Sequence, residues 1–347
     1  MTQPLPPIYF YIPPSYFPQT LPKSADEPWQ GFAMGIHAWT LQTYLRLQAD
    51  GFSCQLVQEF PQRGIVILHR NALRACPNLK PGRDILLVCL KAELPPYPFA
   101  QLHVVQNPNE TRTFPGSYFL PHWTQPGLIG RNSERGDRFE SVAFFGHEVN
   151  LAPELKHPSW QEQLAALGLR WQPLINRNRW DKSEAINPQW HDYSVVDVVV
   201  AVRSFNHQQL QRHRHYRSKP ATKLYNAWLA GVPAILGGES AYQAERQSPL
   251  DYLEVSSPDE LLAALKHLRD NPSLREAMVR QGQARAREIH PTATTAQWRK
   301  FLTEIATPTY YRWRDRSQWS RQFSLGQSYL AFAANRVQDK LHAVRFR

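Results

Sequence analysis

The chain has 347 residues, with 40 Lys and Arg against 29 Asp and Glu, a formal net charge of +11. At roughly 100–200 residues per domain, this length holds two domains, and 42% hydrophobic with 12% aromatic residues excludes a wholly disordered chain. The three cysteines, Cys54, Cys76 and Cys89, form no Cys-x-x-Cys pair; this excludes a disulfide scaffold or a cysteine-rich zinc module and points to a reducing, cytoplasmic compartment.

Residues 8–12 are a short β-type run closed by Pro13-Pro14, and Gly31 and Gly35 then lead into residues 37–49. There Trp39, Leu41, Tyr44, Leu45 and Leu47 predict one amphipathic helix. Residues 53–57, 64–69, 85–90 and 102–106 are β-rich runs bounded by turn residues, and their near-continuous Val, Ile and Leu suit parallel strands buried on both faces. The stretch 119–130, FLPHWTQPGLIG, reads as a crossing loop between domains.

The alternation then restarts. A strand at 142–145 runs into Gly146, a helix follows at 158–167, and further strands are expected at 169–172 and 195–202. Residues 220–230 have Pro220 for a first turn and Gly231 just past the end, the usual asymmetry of a helix. A strand at 233–236, the Gly237-Gly238 turn, a strand at 253–256 and a capped helix at 258–268 complete the series. The fold class is therefore α/β, with two doubly wound, Rossmann-like domains facing across a cleft. We divide the chain into 1–125, 126–305 and a helical tail, 306–347. No run approaches the roughly 20 apolar residues of a membrane span. The start, MTQPLPPIYFYIPPSY, lacks the basic region and apolar core of a secretory signal.

In open α/β sheets, ligands bind outside the carboxyl ends of the strands. Arg203 falls there, directly after 195–202, and Lys219 and Lys223 flank the start of the next helix. Three cations near a helix N-terminus make a diphosphate site. Gly238, Glu239 and Ser240 offer a flexible turn and a hydroxyl for a second phosphate. In the first half, His37 sits at a helix entry and His69 ends a strand; either imidazole is a candidate general base. His213 and His215, within RHRHYR, have metal-ligand spacing, but the interleaved arginines disfavour a cation and no metal is expected.

The segment KPATKLYNAWLAGVP, residues 219–233, resembles the donor-binding helix and turn of nucleotide-sugar glycosyltransferases of the GT-B fold, close to the bacterial fucosyltransferase-like and related branches. DYLEVSSPDELLAALKHLRDNPSLREAM downstream, VAFFGHEVNLAPEL upstream and YFLPHW at the crossing are similar to the corresponding parts of that fold, so the resemblance covers residues 118–305. It implies an enzyme that moves a sugar from a nucleotide-sugar donor to a hydroxyl acceptor, saccharide or lipid-linked, in bacterial glycan or glycolipid synthesis. Residues 1–125 would carry the acceptor and residues 126–305 the donor. Many retaining members carry a pair of glutamates around this helix. Alignment on Gly231-Val232-Pro233 puts Ser218 and Asn226 at those positions, which leaves the stereochemistry open and makes Asn226 a donor-site candidate. No Asp-x-Asp occurs in the sequence, so a metal-independent reaction is expected, with no cofactor beyond the donor substrate. The competing reading is a non-catalytic basic module for nucleic acid or another anionic polymer; no nucleic-acid motif supports it.

From residue 308 onward, Tyr310, Tyr311, Trp313 and Trp319 alternate with Arg312, Arg314, Arg316 and Arg321. One reading is a terminal helix that crosses back onto the N-terminal domain with its apolar face buried. The other is an anionic membrane surface, at the inner face of the membrane, meeting arginine and tryptophan.

Overall fold

The computed structural model describes residues 4–75, 79–176 and 187–345; Cys76 lies outside them. Six parallel strands, β1 (Ile8–Tyr11), β2 (Gln55–Val57), β3 (Gly64–His69), β4 (Ile85–Leu90), β5 (Leu102–Val105) and β6 (Ser117–Phe119), form the first sheet in the order β2-β1-β3-β4-β5-β6. Five more, β7 (Ser141–His147), β8 (Arg170–Asn176), β9 (Val198–Ala201), β10 (Ala234–Gly237) and β11 (Leu253–Val255), form the second in the order β11-β10-β9-β7-β8. The α/β class and the paired doubly wound sheets are thus as expected.

Alternation along the strands explains the layers. Ile65 and Ile67 of β3 enter the core on one face of the first sheet, and Val66 and Leu68 enter the core on the other. Val199 and Ala201 of β9 likewise oppose Val198 and Val200. Every residue of β3 and β4 is buried, as strands covered by helices on both faces must be.

Beyond the added β6 and the added helix His207–Arg212, four details differ from the sequence expectation. Residues 37–49 are one helix, but it opens with a π turn, His37–Leu41, before α1 (Gln42–Ala49). The run 195–202 is strand only over β9, because Val195 is 48% exposed and Asp197 receives Arg131, Arg135 and the backbone N–H groups of Glu140 and Ser141. After α2 (Ala72–Ala75), α3 (Pro158–Ala166) and α4 (His207–Arg212), helix α5 (Thr222–Ala230) begins beyond Pro220, with Ala221 as its N-cap. Gly231 ends it at φ +69°, the left-handed cap that glycine supplies.

The fourth difference is at the C-terminal end. Helices α6 (Ser240–Glu245), α7 (Pro258–Asp270) and α8 (Pro272–Ile289) cover the second sheet, and α9 (Pro291–Lys300) then returns to the first. Trp298, Phe301, Leu302, Ala306, Tyr310 and Trp313 join Ile8, Phe10 and Trp39 in one core. The chain runs through a π turn, Phe301–Ala306, into α10 (Thr307–Asp315), and Trp313 Nε1 donates to the Gly82 carbonyl at 2.9 Å. The crossing back is therefore real and starts before residue 308. Burial ends with Trp313, however: α11 (Gln318–Arg345) leaves Trp319 82%, Phe323 68% and Leu330 69% exposed.

Candidate active site

A cleft of about 980 Å³ opens where the carboxyl ends of both sheets meet. His69 at the end of β3, Gln106 beyond β5, His147 at the end of β7 and Arg203 beyond β9 all line it. This is where an open α/β sheet exposes backbone and side chains to a ligand.

Arg203 and Lys223 form the basic part of the C-terminal wall. Arg203 is buried; its Nε donates to Glu239 Oε2 at 2.6 Å, its Nη1 donates to Asn150 Oδ1, and its guanidinium lies 5.5 Å from the Tyr216 ring centre. Lys223 sits in the first turn of α5, beside backbone N–H groups that have no partner within the helix. Burial, and then the nearby Arg203 charge, push its ammonium down to about 7. Gly146 makes room for it: at φ +153° a Cβ there would lie 3.3 Å from Lys223 Cε. A cation held this far below its ordinary value regains its proton when an anion enters.

The other donor-site candidates fare differently. Asn226 lines the cleft, and its Oδ1 accepts from the Gln125 backbone N–H at 3.0 Å, which ties α5 to the crossing loop. Lys219 is engaged by Glu93 of the first domain, so its charge is matched across the cleft rather than presented to a phosphate. The turn at Gly238, Glu239 and Ser240 does not reach the cleft wall, which corrects the expected second phosphate contact. The Gly238 carbonyl is taken by His215 Nδ1 at 2.8 Å, Glu239 is paired with Arg203, and Ser240 Oγ accepts from Asn107 Nδ2 at 3.2 Å and Asn109 Nδ2 at 3.0 Å. These groups hold the two domains and Arg203 in place. His213 stacks on Tyr216 while His215 faces Gly238, so the two imidazoles do not converge.

On the N-terminal wall, His37 is not a base. Its Nδ1 lies 3.1 Å from the Gly31 carbonyl and its Nε2 2.8 Å from the Tyr16 carbonyl, so neither nitrogen offers a lone pair to the cleft. His69 does line the cleft. Its Nδ1 accepts the Asn71 backbone N–H at 3.1 Å, which leaves the proton on Nε2; that atom is buried with no partner. Burial, followed by the neighbouring His122, lowers its pKa to about 3, so the ring is neutral and Nε2–H is a donor. Gly35 keeps the approach open, since a Cβ there would stand 3.3 Å from Nε2. The side-chain nitrogens of Gln42 and Gln125 are also buried without partners, and both residues line the same cleft.

His122 was not singled out from the sequence. Its Nδ1 donates to the Trp123 carbonyl at 2.7 Å, so the tautomer leaves Nε2 as an acceptor, and its ring meets Trp39 edge-on at 4.8 Å. Burial lowers its pKa below the ordinary imidazole value of 6.5. The signal in the sequence is only a histidine between Pro121 and Trp123 in the crossing segment.

Two parallel α/β sheets with their carboxyl ends on one cleft, with Arg203 just beyond β9 and Lys223 in the first turn of α5 on its wall, make up the GT-B architecture. Residues 155–299 match the family model described as glycosyl transferase-like, and the chain has the GT-B fold. The fucosyltransferase-like branch is not confirmed. The fold is similar to that of sucrose-phosphate synthase from Thermosynechococcus elongatus, with 11% identity over 87% of this chain and 99% of that one and a TM-score of 0.53. Two further solved structures are Anabaena Alr3699/HepE in complex with UDP-glucose (13% identity, 86% and 100% covered, TM-score 0.49) and AviGT4, a glycosyltransferase involved in avilamycin A biosynthesis (10%, 77% and 90%, 0.47). No curated protein matches the sequence. The reading as a non-catalytic polymer-binding module gains no support from these comparisons.

Proposed function

We propose that the protein transfers a sugar from a nucleotide-sugar donor to a hydroxyl acceptor, with each wall of the cleft serving one substrate. The observation that carries this reading is the opposition of Lys223 and Arg203 on one wall to the unpartnered Nε2–H of His69 on the other. Negative charge grows on the departing diphosphate in the transition state, and two fixed cations with the first-turn N–H groups of α5 stabilise it without reorganising. No metal is needed for that step in this account. His69, Gln42 and Gln125 donate hydrogen bonds to hydroxyl oxygens of the sugar or acceptor, which fixes their orientation before transfer. The lone pair of His122 Nε2 takes the acceptor proton as the glycosidic bond forms.

We place this activity in bacterial glycan or glycolipid synthesis on the cytoplasmic side. The compartment rests on the thiols: Cys54 and Cys89 are both free. Its membrane aspect rests on α11, taken up below.

A panel of nucleotide sugars, read by product mass, tests the transfer. Product from one donor and an acid limb in kcat/KM below pH 6.5, where His122 protonates, are expected for the wild type. His122→Asn should lose most of the rate and the limb while binding nucleoside diphosphate normally. An unchanged acid limb in that variant contradicts the role of His122.

A further inference from the structure

Helix α11 carries a narrow apolar stripe that none of the described residues covers. Trp319, Phe323, Leu330, Val337, Leu341 and Val344 are between 56% and 82% exposed. At 3.6 residues per turn they fall within an arc of about 60°, along about 37 Å of helix. The opposite face is the docked one: Asn335 Nδ2 donates to the Thr113 carbonyl at 3.0 Å, Asp339 pairs with Arg214 at 3.2 Å, and His342 meets the Gln211 carbonyl at 2.8 Å. The helix is thus fastened to both domains with its apolar stripe turned outward.

Charge identifies what covers the stripe. Arg336, Lys340 and Arg345 flank it, and Arg312 and Arg316 are exposed just before the helix. Asp339, the acidic residue of α11, is paired with Arg214 on the side away from the stripe, and Asp315 is paired with Arg314. A second copy laid along the stripe would bring two basic rows together with no carboxylate between them. An anionic bilayer supplies both the apolar bed and the missing negative charge.

We propose that α11 lies in the plane of an acidic lipid surface, with Trp319, Phe323, Leu330, Val337 and Leu341 in the acyl boundary and the flanking basic residues among the headgroups. Attachment is peripheral, since no described helix is long and apolar enough to cross a membrane. The inference is independent of the chemistry assigned to the cleft.

Cosedimentation of the full chain with phosphatidylcholine vesicles, alone or mixed with phosphatidylglycerol, tests it. The wild type should bind only the acidic vesicles and be released by salt. The exposed double variant Leu330→Ser/Val337→Ser should bind about tenfold more weakly, and Arg336→Gln/Lys340→Gln should lose the preference for acidic lipid. Nucleoside diphosphate binding by both variants reports that fold and cleft are intact. Equal vesicle binding by the wild type and the stripe variant overturns the proposal. A lipid-free dimer that the stripe substitutions abolish, without vesicle binding by the wild type, also overturns it and gives the surface to a second copy.

Discussion

The two walls of the cleft manage their nitrogen donors in opposite ways. On the C-terminal wall, Arg203 is locked by Glu239 and Asn150, and Glu239 is itself fully buried. On the N-terminal wall, the nitrogens of His69, Gln42 and Gln125 are buried and unmatched. A buried donor without a partner costs about 1–3 kcal/mol, so a wall that keeps three of them is one that a ligand completes. The pairing opposite teaches something else. Under the proposed function the cation is positioned before the anion arrives, and Lys223, its ammonium pushed down to about 7 by burial, would supply the charge that changes on binding.

The largest effect that can break this comparison is on stability. Arg203→Ala strands the Glu239 carboxylate in the interior and should cost about 3–5 kcal/mol, the usual penalty for halving a buried ion pair. Urea unfolding measures it. Replacing both residues together, Arg203→Met/Glu239→Gln, should recover much of the loss, and no recovery would mean the pair is not what holds the wall.

A smaller effect sharpens the other side. Gly35→Ala places a methyl group 3.3 Å from His69 Nε2 and crowds the open donor. Acceptor KM should rise about fivefold, the worth of one hydrogen bond, with nucleoside diphosphate affinity unchanged. Steady-state kinetics beside a binding titration separates the two walls. A change in diphosphate affinity alone would contradict the division of labour.

Much of this architecture was legible in the sequence because strands buried on both faces write themselves as continuous apolar runs. GIVILH at β3 and ILLVCL at β4 left little alternative. β6 was not legible, since SYF is short and only half buried. The early return of the chain was hidden as well: Trp298 and Phe301 pack beside Ile8 and Trp39, a pairing that no local pattern records. In the site, Arg203, Lys223 and His69 follow from strand ends and helix starts, which are local features, whereas Asn226 comes only from the resemblance around Gly231-Val232-Pro233. The exclusion of His37, Gly238, Glu239 and Ser240 depended on partners far along the chain, such as Tyr16 for His37 and Asn107 for Ser240. Gln42 and Gln125 carried no signal, because an amide becomes informative only when its partner is missing.

The central claim is that Lys223 answers the charge of a departing diphosphate. Calorimetric titration of a nucleoside diphosphate in buffers of different ionisation heat, one pH unit above the Lys223 value of about 7, measures the proton exchanged on binding. Because the free ammonium is largely neutral there and the bound one is charged, the wild type should take up a proton, and affinity should weaken as pH rises further. Lys223→Met should take up none and bind about 10- to 100-fold more weakly, as expected for losing a hydrogen bond to a charged group. Equal proton uptake and equal affinity in the two proteins would contradict the account.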